Sequence, residues 1–266
     1  PIITSNICPK VIRLGKACGF IIISGTTPFL VKGIQLEGLR KIGDPNEFAK
    51  KYYKDGIDEI YYEDIVASLY ERNSLLEIIS KTSEEIFVPV TVGGGLRKID
   101  DIEAVLRSGA DKISINTAAI KEPKIINNVA EKFGTQCMVL SIQAKKNGSR
   151  WEAYFDNGRE KSGLDAIEWA IEGEKRGAGE IIITSVDREG TERGYDAELI
   201  RAITDSVAVP VIASGGMGKF EDIKSAVKNG NADAVAIANC LHYNKMSVRE
   251  IREYCLKNQI LVRKIK

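Results

Sequence analysis

A single histidine, His242, stands in 266 residues, and that scarcity removes the most common ligand of transition-metal sites. No metal and no cofactor are expected. Cysteine is also sparse: Cys8, Cys18, Cys137, Cys240 and Cys255 are odd in number, widely spaced and form no CxxC pair. Such a set suits reduced thiols in a cytoplasmic protein better than a disulfide framework. No apolar run reaches the roughly 18 residues of a membrane span, and PIITSNICPK lacks the basic-then-apolar order of a signal peptide. An excess of either charge is missing too, because 38 Lys and Arg nearly balance 37 Asp and Glu. A net charge of +1 gives no electrostatic reason for nucleic acid or an anionic membrane as partner. Small molecules and proteins are left.

What is present is alternation. Short β-branched runs such as EIYYEDI, VPVTV, DKISIN and CMVLSI are separated by longer amphipathic stretches such as DDIEAVLRSG and PKIINNVAEKFG. That rhythm predicts a parallel sheet wrapped by helices, and 266 residues fit one α/β barrel, which needs roughly 250. VPVTVGGGLRKIDDI from Val88 matches VPVIASGGMGKFEDI from Val209, 121 residues on. The same interval carries Phe48, Ala49, Gly56 and Glu59 onto Trp169, Ala170, Gly177 and Glu180. A repeat of about half the chain predicts an α/β (βα)₈ TIM barrel with an internal twofold repeat, residues 1–266, its halves about 1–134 and 135–266. An open doubly wound sheet is the rival architecture. Arg13 to Gly33 and Lys145 to Lys161 break the rhythm and read as β-hairpin excursions over the barrel mouth.

Ligands of such barrels bind at the carboxyl ends of the strands. Gly93, Gly94 and Gly95 follow the third strand of this reading, and Ser214, Gly215 and Gly216 follow the seventh. Both put bare backbone N–H groups ahead of a helix, an arrangement suited to phosphate, although glycines can equally turn a tight corner. Asn116 and Thr117 after the fourth strand and Asn239 after the eighth are placed to add hydrogen bonds. Two such loops at symmetric positions predict a ligand with two phosphates. Asp64 and Asp187, after the second and sixth strands, are candidate catalytic acids, with a purely structural role the competing explanation.

GDP at Gly43, TVGGG at Thr91, GADKISINTAAI from Gly109, GAGEIIITSVDREGTERGYD from Gly177 and IASGGMGKFED from Ile212 make the chain resemble the cyclase subunit of imidazole glycerol phosphate synthase, the HisF family. The likeness runs from Val31 to the carboxyl end and implies a barrel of the ribulose-phosphate-binding type. It also implies a glutaminase partner, HisH-like, whose ammonia crosses the barrel to close an imidazole ring on a substrate with two phosphates. The glycine loops would be its phosphate sites. The family's two catalytic aspartates end strands one and five in segments like I-I-P-C-L-D and A-I-D-A-K. Here ICPKVI places Ile12 at the first and SIQAKK places Gln143 at the second, and neither side chain exchanges protons at neutral pH. The family's ring of charges at the ammonia entrance has counterparts in Glu59, Lys112 and Glu180, with Asn6 in place of its arginine, and Asp111 matches a residue that touches the glutaminase.

An entrance of family type beneath an altered reaction end resembles the diverged copies found in bacterial surface-polysaccharide clusters. Those are thought to supply ammonia for acetamidino groups on sugars, with a separate sugar amidotransferase. The leading expectation is therefore a subunit of a glutamine-dependent amidotransferase serving lipopolysaccharide or surface-glycan synthesis. The ordinary cyclase of histidine biosynthesis, with relocated acids, is the first alternative, and a non-catalytic scaffold that activates a glutaminase is the second.

Overall fold

The computed structural model describes residues 16–24, 29–64 and 73–263. Its described strands are β1 (Lys16–Ser24), β2 (Phe29–Ile34), β3 (Glu37–Gly43), β4 (Glu59–Asp64), β5 (Val90–Gly93), β6 (Lys112–Ile115), β7 (Met138–Asn147), β8 (Arg150–Phe155), β9 (Glu160–Asp165), β10 (Glu180–Ser185), β11 (Val211–Ser214) and β12 (Ala234–Ile237). Parallel pairing runs β10-β11-β12-β1-β4-β5-β6-β7, and β7 pairs β10 to close the ring. The molecule is a (βα)₈ barrel, and closure excludes the open sheet.

Strands of a closed barrel are buried on both faces, which is why they read as apolar runs rather than as alternation. Successive side chains still point to opposite faces. On β4, Ile60 and Tyr62 join the large core between strands and helices, while Tyr61 joins a separate small cluster with Val139, Ile182, Ile212, Ala234 and Ala236. That second cluster draws on β4, β7, β10, β11 and β12 and lines the bore. Each large aliphatic side chain buried in these layers contributes about 1.5–3 kcal/mol.

The first parallel strand lies further along the chain than expected. Lys16–Ser24 pairs with β12 and β4, Cys18 level with Glu59 and Ile23 level with Asp64. The stretch Arg13 to Gly33 is thus not one excursion: it holds a barrel strand, and the hairpin after it is β2–β3. A second hairpin, β8–β9, follows β7. Their tips meet over the mouth, where Asn157 Nδ2 donates to the Leu36 carbonyl at 3.2 Å. Gln35 and Leu36 both have positive φ (52° and 65°), the backbone of a two-residue turn that matches strand twist. Gln35 N donates to the Glu189 carbonyl at 3.0 Å, and Leu36 N to Glu189 Oε2 at 3.1 Å. These contacts hold the turn against the loop after β10.

Local contacts recur 121 residues apart. Asp44 caps the helix Pro45–Lys54 by accepting from Asn46 N and Glu47 N, and Asp165 caps Ala166–Arg176 by accepting from Ile167 N and Glu168 N. Asp101 accepts from Arg97 N and Lys98 N, as Asp222 does from Gly218 N and Lys219 N. Each such helix start follows a strand end or hairpin, so the caps fix where the chain leaves the mouth. Asp44→Ala and Asp165→Ala are each expected to lower unfolding free energy by about 1 kcal/mol, read as matching shifts in urea midpoint at unchanged slope.

Candidate functional site at the two ends of the barrel

At the amino ends of the strands, Lys112 opens β6, Glu59 opens β4 and Glu180 opens β10. Lys112 Nζ lies 2.9 Å from Glu59 Oε2 and 2.7 Å from Glu180 Oε2. Thr91 Oγ1 donates to Glu59 Oε1 at 2.6 Å. Burial on its own would push the lysine down; the two carboxylates more than offset it, and the ammonium is held above its usual range. The structure thus brings the three expected entrance residues into one hydrogen-bonded cluster at the foot of the bore. Asn6, the expected fourth, lies outside the described residues. Asp111, exposed beside Lys112, accepts from Val90 N at 2.8 Å and so also pins the start of β5.

At the carboxyl ends two cavities open side by side, of about 410 and 40 Å³. The larger gathers Gly94, Gly95, Asn116 and Thr117 with Asp64; the smaller gathers Ser214, Gly215, Gly216 and Asn239. Gly94 has φ +91°, and a Cβ there would stand 2.0 Å from the Asp64 carbonyl oxygen, so the turn and the close approach both demand glycine. Gly93 lines neither cavity. Its missing Cβ would sit 2.4 Å from Glu63 Oε2 and 2.8 Å from the Tyr61 hydroxyl, so this glycine makes room for a carboxyl group.

Two expected donors are already engaged. Asn116 spends both N–H bonds of its amide on the carbonyls of Ser141 (3.1 Å) and Tyr154 (3.2 Å), and Asn239 Nδ2 bonds Glu192 Oε1. Thr117 Oγ1 accepts from Asp156 N at 3.1 Å. Asp187 lines neither cavity. Its Oδ2 accepts from Lys146 N at 2.8 Å, tying the loop after β10 to the β7–β8 hairpin.

Gln143 stands level with Thr184 on β10, is buried, lines both cavities, and its side-chain oxygen has no partner among the described residues. Ile12 lies outside the described residues, but the first parallel strand ends at Ser24, so by pairing the terminus of strand one falls there rather than at residue 12.

The sequence reading missed two charged features of the mouth. Lys32 on β2 is buried against Glu189, and burial draws its ammonium down to about 8. Glu63, on β4 level with Gly93, lines both cavities. Loss of water contact raises its carboxyl to about 7, against a 2.7 Å hydrogen bond from the Tyr61 hydroxyl, which lowers it, and the charge of Asp64, which raises it. Spacing held the clue: Glu59, Tyr61 and Glu63 share one parity, so an inward Glu59 implies an inward Glu63.

The described residues hold no group of three or more His, Cys, Asp or Glu arranged for a metal, and no described helix is long and apolar enough to cross a membrane. Cys137, Cys240 and Cys255 are buried free thiols.

A family model described as histidine biosynthesis protein matches residues 22–247. The subunit HisF of imidazole glycerol phosphate synthase from Legionella pneumophila is 57% identical over 196 residues, 73% of this chain and 92% of that protein. The chain belongs to the HisF family. HisF proteins from Dehalococcoides mccartyi and Nostoc sp. are 46% and 45% identical over 234 and 238 residues, each covering 88% of this chain and 92% of the relative.

Two outcomes follow from the geometry. Lys112→Met should cost about 3 kcal/mol, because it leaves two buried carboxylates facing each other, measurable by thermal or urea unfolding. Glu63 titrates near 7 when folded against 4.5 ordinarily, so the native state holds its proton more tightly and stability falls as pH rises between those values. Glu63→Gln removes that loss, so its Tm relative to the unsubstituted protein should climb from pH 4.5 to 7 and then level off.

Proposed function

We propose that this protein is the synthase subunit of a glutamine-dependent amidotransferase: a HisH-like glutaminase docks at the foot, and ammonia passes the Lys112, Glu59 and Glu180 cluster into the bore. At the mouth it meets a small phosphorylated substrate. The observation that carries this reading is the pairing of a buried charged cluster at strand starts with two glycine-lined cavities at the opposite ends of the same strands. A buried ion cluster is weak evidence for stability alone, since apolar residues of like volume do as well. The same reading takes the chain as one barrel of two halves, about 1–134 and 135–266, supported by the contacts that recur at 121 residues.

The reaction supported first is that of the relatives' name, imidazole glycerol phosphate synthesis in the histidine pathway. Gly94, Gly95, Gly215 and Gly216 offer backbone N–H groups to the two phosphates, and Thr117 adds a hydroxyl. Asp64, at the rim of the larger cavity, is placed to hold ribose hydroxyls.

A second reading, delivery of the nitrogen to a sugar for an acetamidino group with a separate amidotransferase, is favoured by Gln143. An amide at the end of the fifth barrel strand cannot take the proton that the family's aspartate takes, and general acid/base catalysis is worth about 10² to 10⁴ in rate. The deciding experiment supplies the purified barrel with ammonium chloride and the two-phosphate intermediate of the histidine pathway. Imidazole glycerol phosphate formed at several turnovers per minute or faster supports the first reading. Tight binding of that intermediate without product supports the second, and failure to bind it overturns the first.

A further inference from the structure

Glu63, Gln143 and Asn157 are the described residues that line both cavities, so they stand where the two meet. A ligand with a phosphate in each glycine loop would therefore lay its middle, where the chemistry happens, against this junction. Asn157 is committed, its Nδ2 bonded to the Leu36 carbonyl and its backbone in the hairpin turn. Glu63 and Gln143 remain. Gln143 presents a buried oxygen with no partner among the described residues, an unmet acceptor that a ligand N–H would satisfy. Glu63 presents a carboxyl that is walled on one side by Gly93 and held by the Tyr61 hydroxyl, itself part of the apolar cluster lining the bore. The bore thus ends on an acid.

We propose that Glu63 is the proton-transfer group of this site and that Gln143 orients the incoming nitrogen beside it. The inference rests on the reading that ammonia reaches a two-phosphate substrate at the mouth. In the step it assigns, ammonia's lone pair forms a bond to an electrophilic carbonyl or imine carbon, and the π electrons move to the oxygen or nitrogen of that group. Protonated Glu63 gives its proton to that atom. The resulting carboxylate then takes a proton from the positively charged new amine, so the carboxyl ends as it began.

The ionisation behaviour agrees. A carboxyl that titrates near neutrality both holds and yields a proton at physiological pH, whereas an ordinary one is already ionised. The charges around it are mixed. Asp64 adjoins it on β4, and the Lys32 and Glu189 pair closes the smaller cavity; Arg97, Lys121, Glu122 and Asp156 rim the larger one. No single neighbour cancels the effect of lost water contact, which is the leading cause of the shift.

The test compares the unsubstituted barrel with Glu63→Gln, Glu63→Asp and Tyr61→Phe, using ammonium chloride and the two-phosphate histidine-pathway intermediate across pH 5–9. The expected result is a limb in kcat with a midpoint near pH 7. Glu63→Gln should lower kcat about 100-fold or more with KM within threefold, Glu63→Asp should restore part of it, and Tyr61→Phe should move the limb to higher pH. A Glu63→Gln variant with kcat within threefold, or a limb unmoved by Tyr61→Phe, overturns the assignment. An infrared arm keeps the question separate from the choice of acceptor. If the unsubstituted barrel makes no product, the cyclase reading fails. Glu63 is then supported by a protonated-carboxyl band that disappears with a midpoint near pH 7, shifts when the same intermediate or inorganic phosphate is added, and is absent from Glu63→Gln. A carboxylate ionised throughout pH 5–9, or a band indifferent to both added compounds, overturns it.

Discussion

Closure of eight parallel strands imposes one constraint from which the rest follows: every second side chain on each strand must enter a narrow bore. Along β4 these are Glu59, Tyr61 and Glu63, while Ile60 and Tyr62 face the helices. Along β10 the outward Ile181 and Ile183 alternate with Glu180, Ile182 and Thr184. A slip of one residue would exchange the two sets. It would drive the carboxylates of Glu59, Glu63 and Glu180 into the helix interface and Ile60 and Ile181 into the foot of the bore, at several kcal/mol per unpaired charge. Register is therefore over-determined, and it alone sets charge at the foot, an apolar lining in the middle and an acid at the mouth.

Charge in such a bore has to be compensated. The single ammonium of Lys112 lies between the carboxylates of Glu59 and Glu180, leaving the cluster with an excess of acid that Thr91 partly satisfies with its hydroxyl. At the mouth the balance is different. The glycine loops present donors and no side chains, while the hairpin tips, joined through Asn157 and Leu36, reduce the volume open to solvent.

Much of this was legible beforehand. The 121-residue interval, the glycine loops and the three entrance charges all rest on local spacing, and spacing survives folding. The first strand was not legible. An isoleucine run flanked by glycine, KACGFIIIS, is equally a hairpin strand or a buried parallel one, and only its pairing with β12 and β4 decides. The likeness of ICPKVI to the family segment puts the expected strand terminus at Ile12. Glu63 is legible only through strand parity, which places it on the inward face with Glu59 and separates it from its neighbour Asp64. Asp187 and Asn116 show a second limit of spacing, since polar groups near a strand end are also needed to satisfy loop backbone. Their bonds to Lys146 N and to the Ser141 and Tyr154 carbonyls show where they went.

In the proposed function nitrogen travels inside the protein from foot to mouth. The most direct measurement gives the barrel and its glutaminase amide-¹⁵N-labelled glutamine together with excess unlabelled ammonium chloride, and reads the isotope in the aminated product. Passage through the bore predicts product that stays predominantly ¹⁵N while the bulk ammonium is overwhelmingly ¹⁴N. Product whose label matches the bulk pool would contradict it.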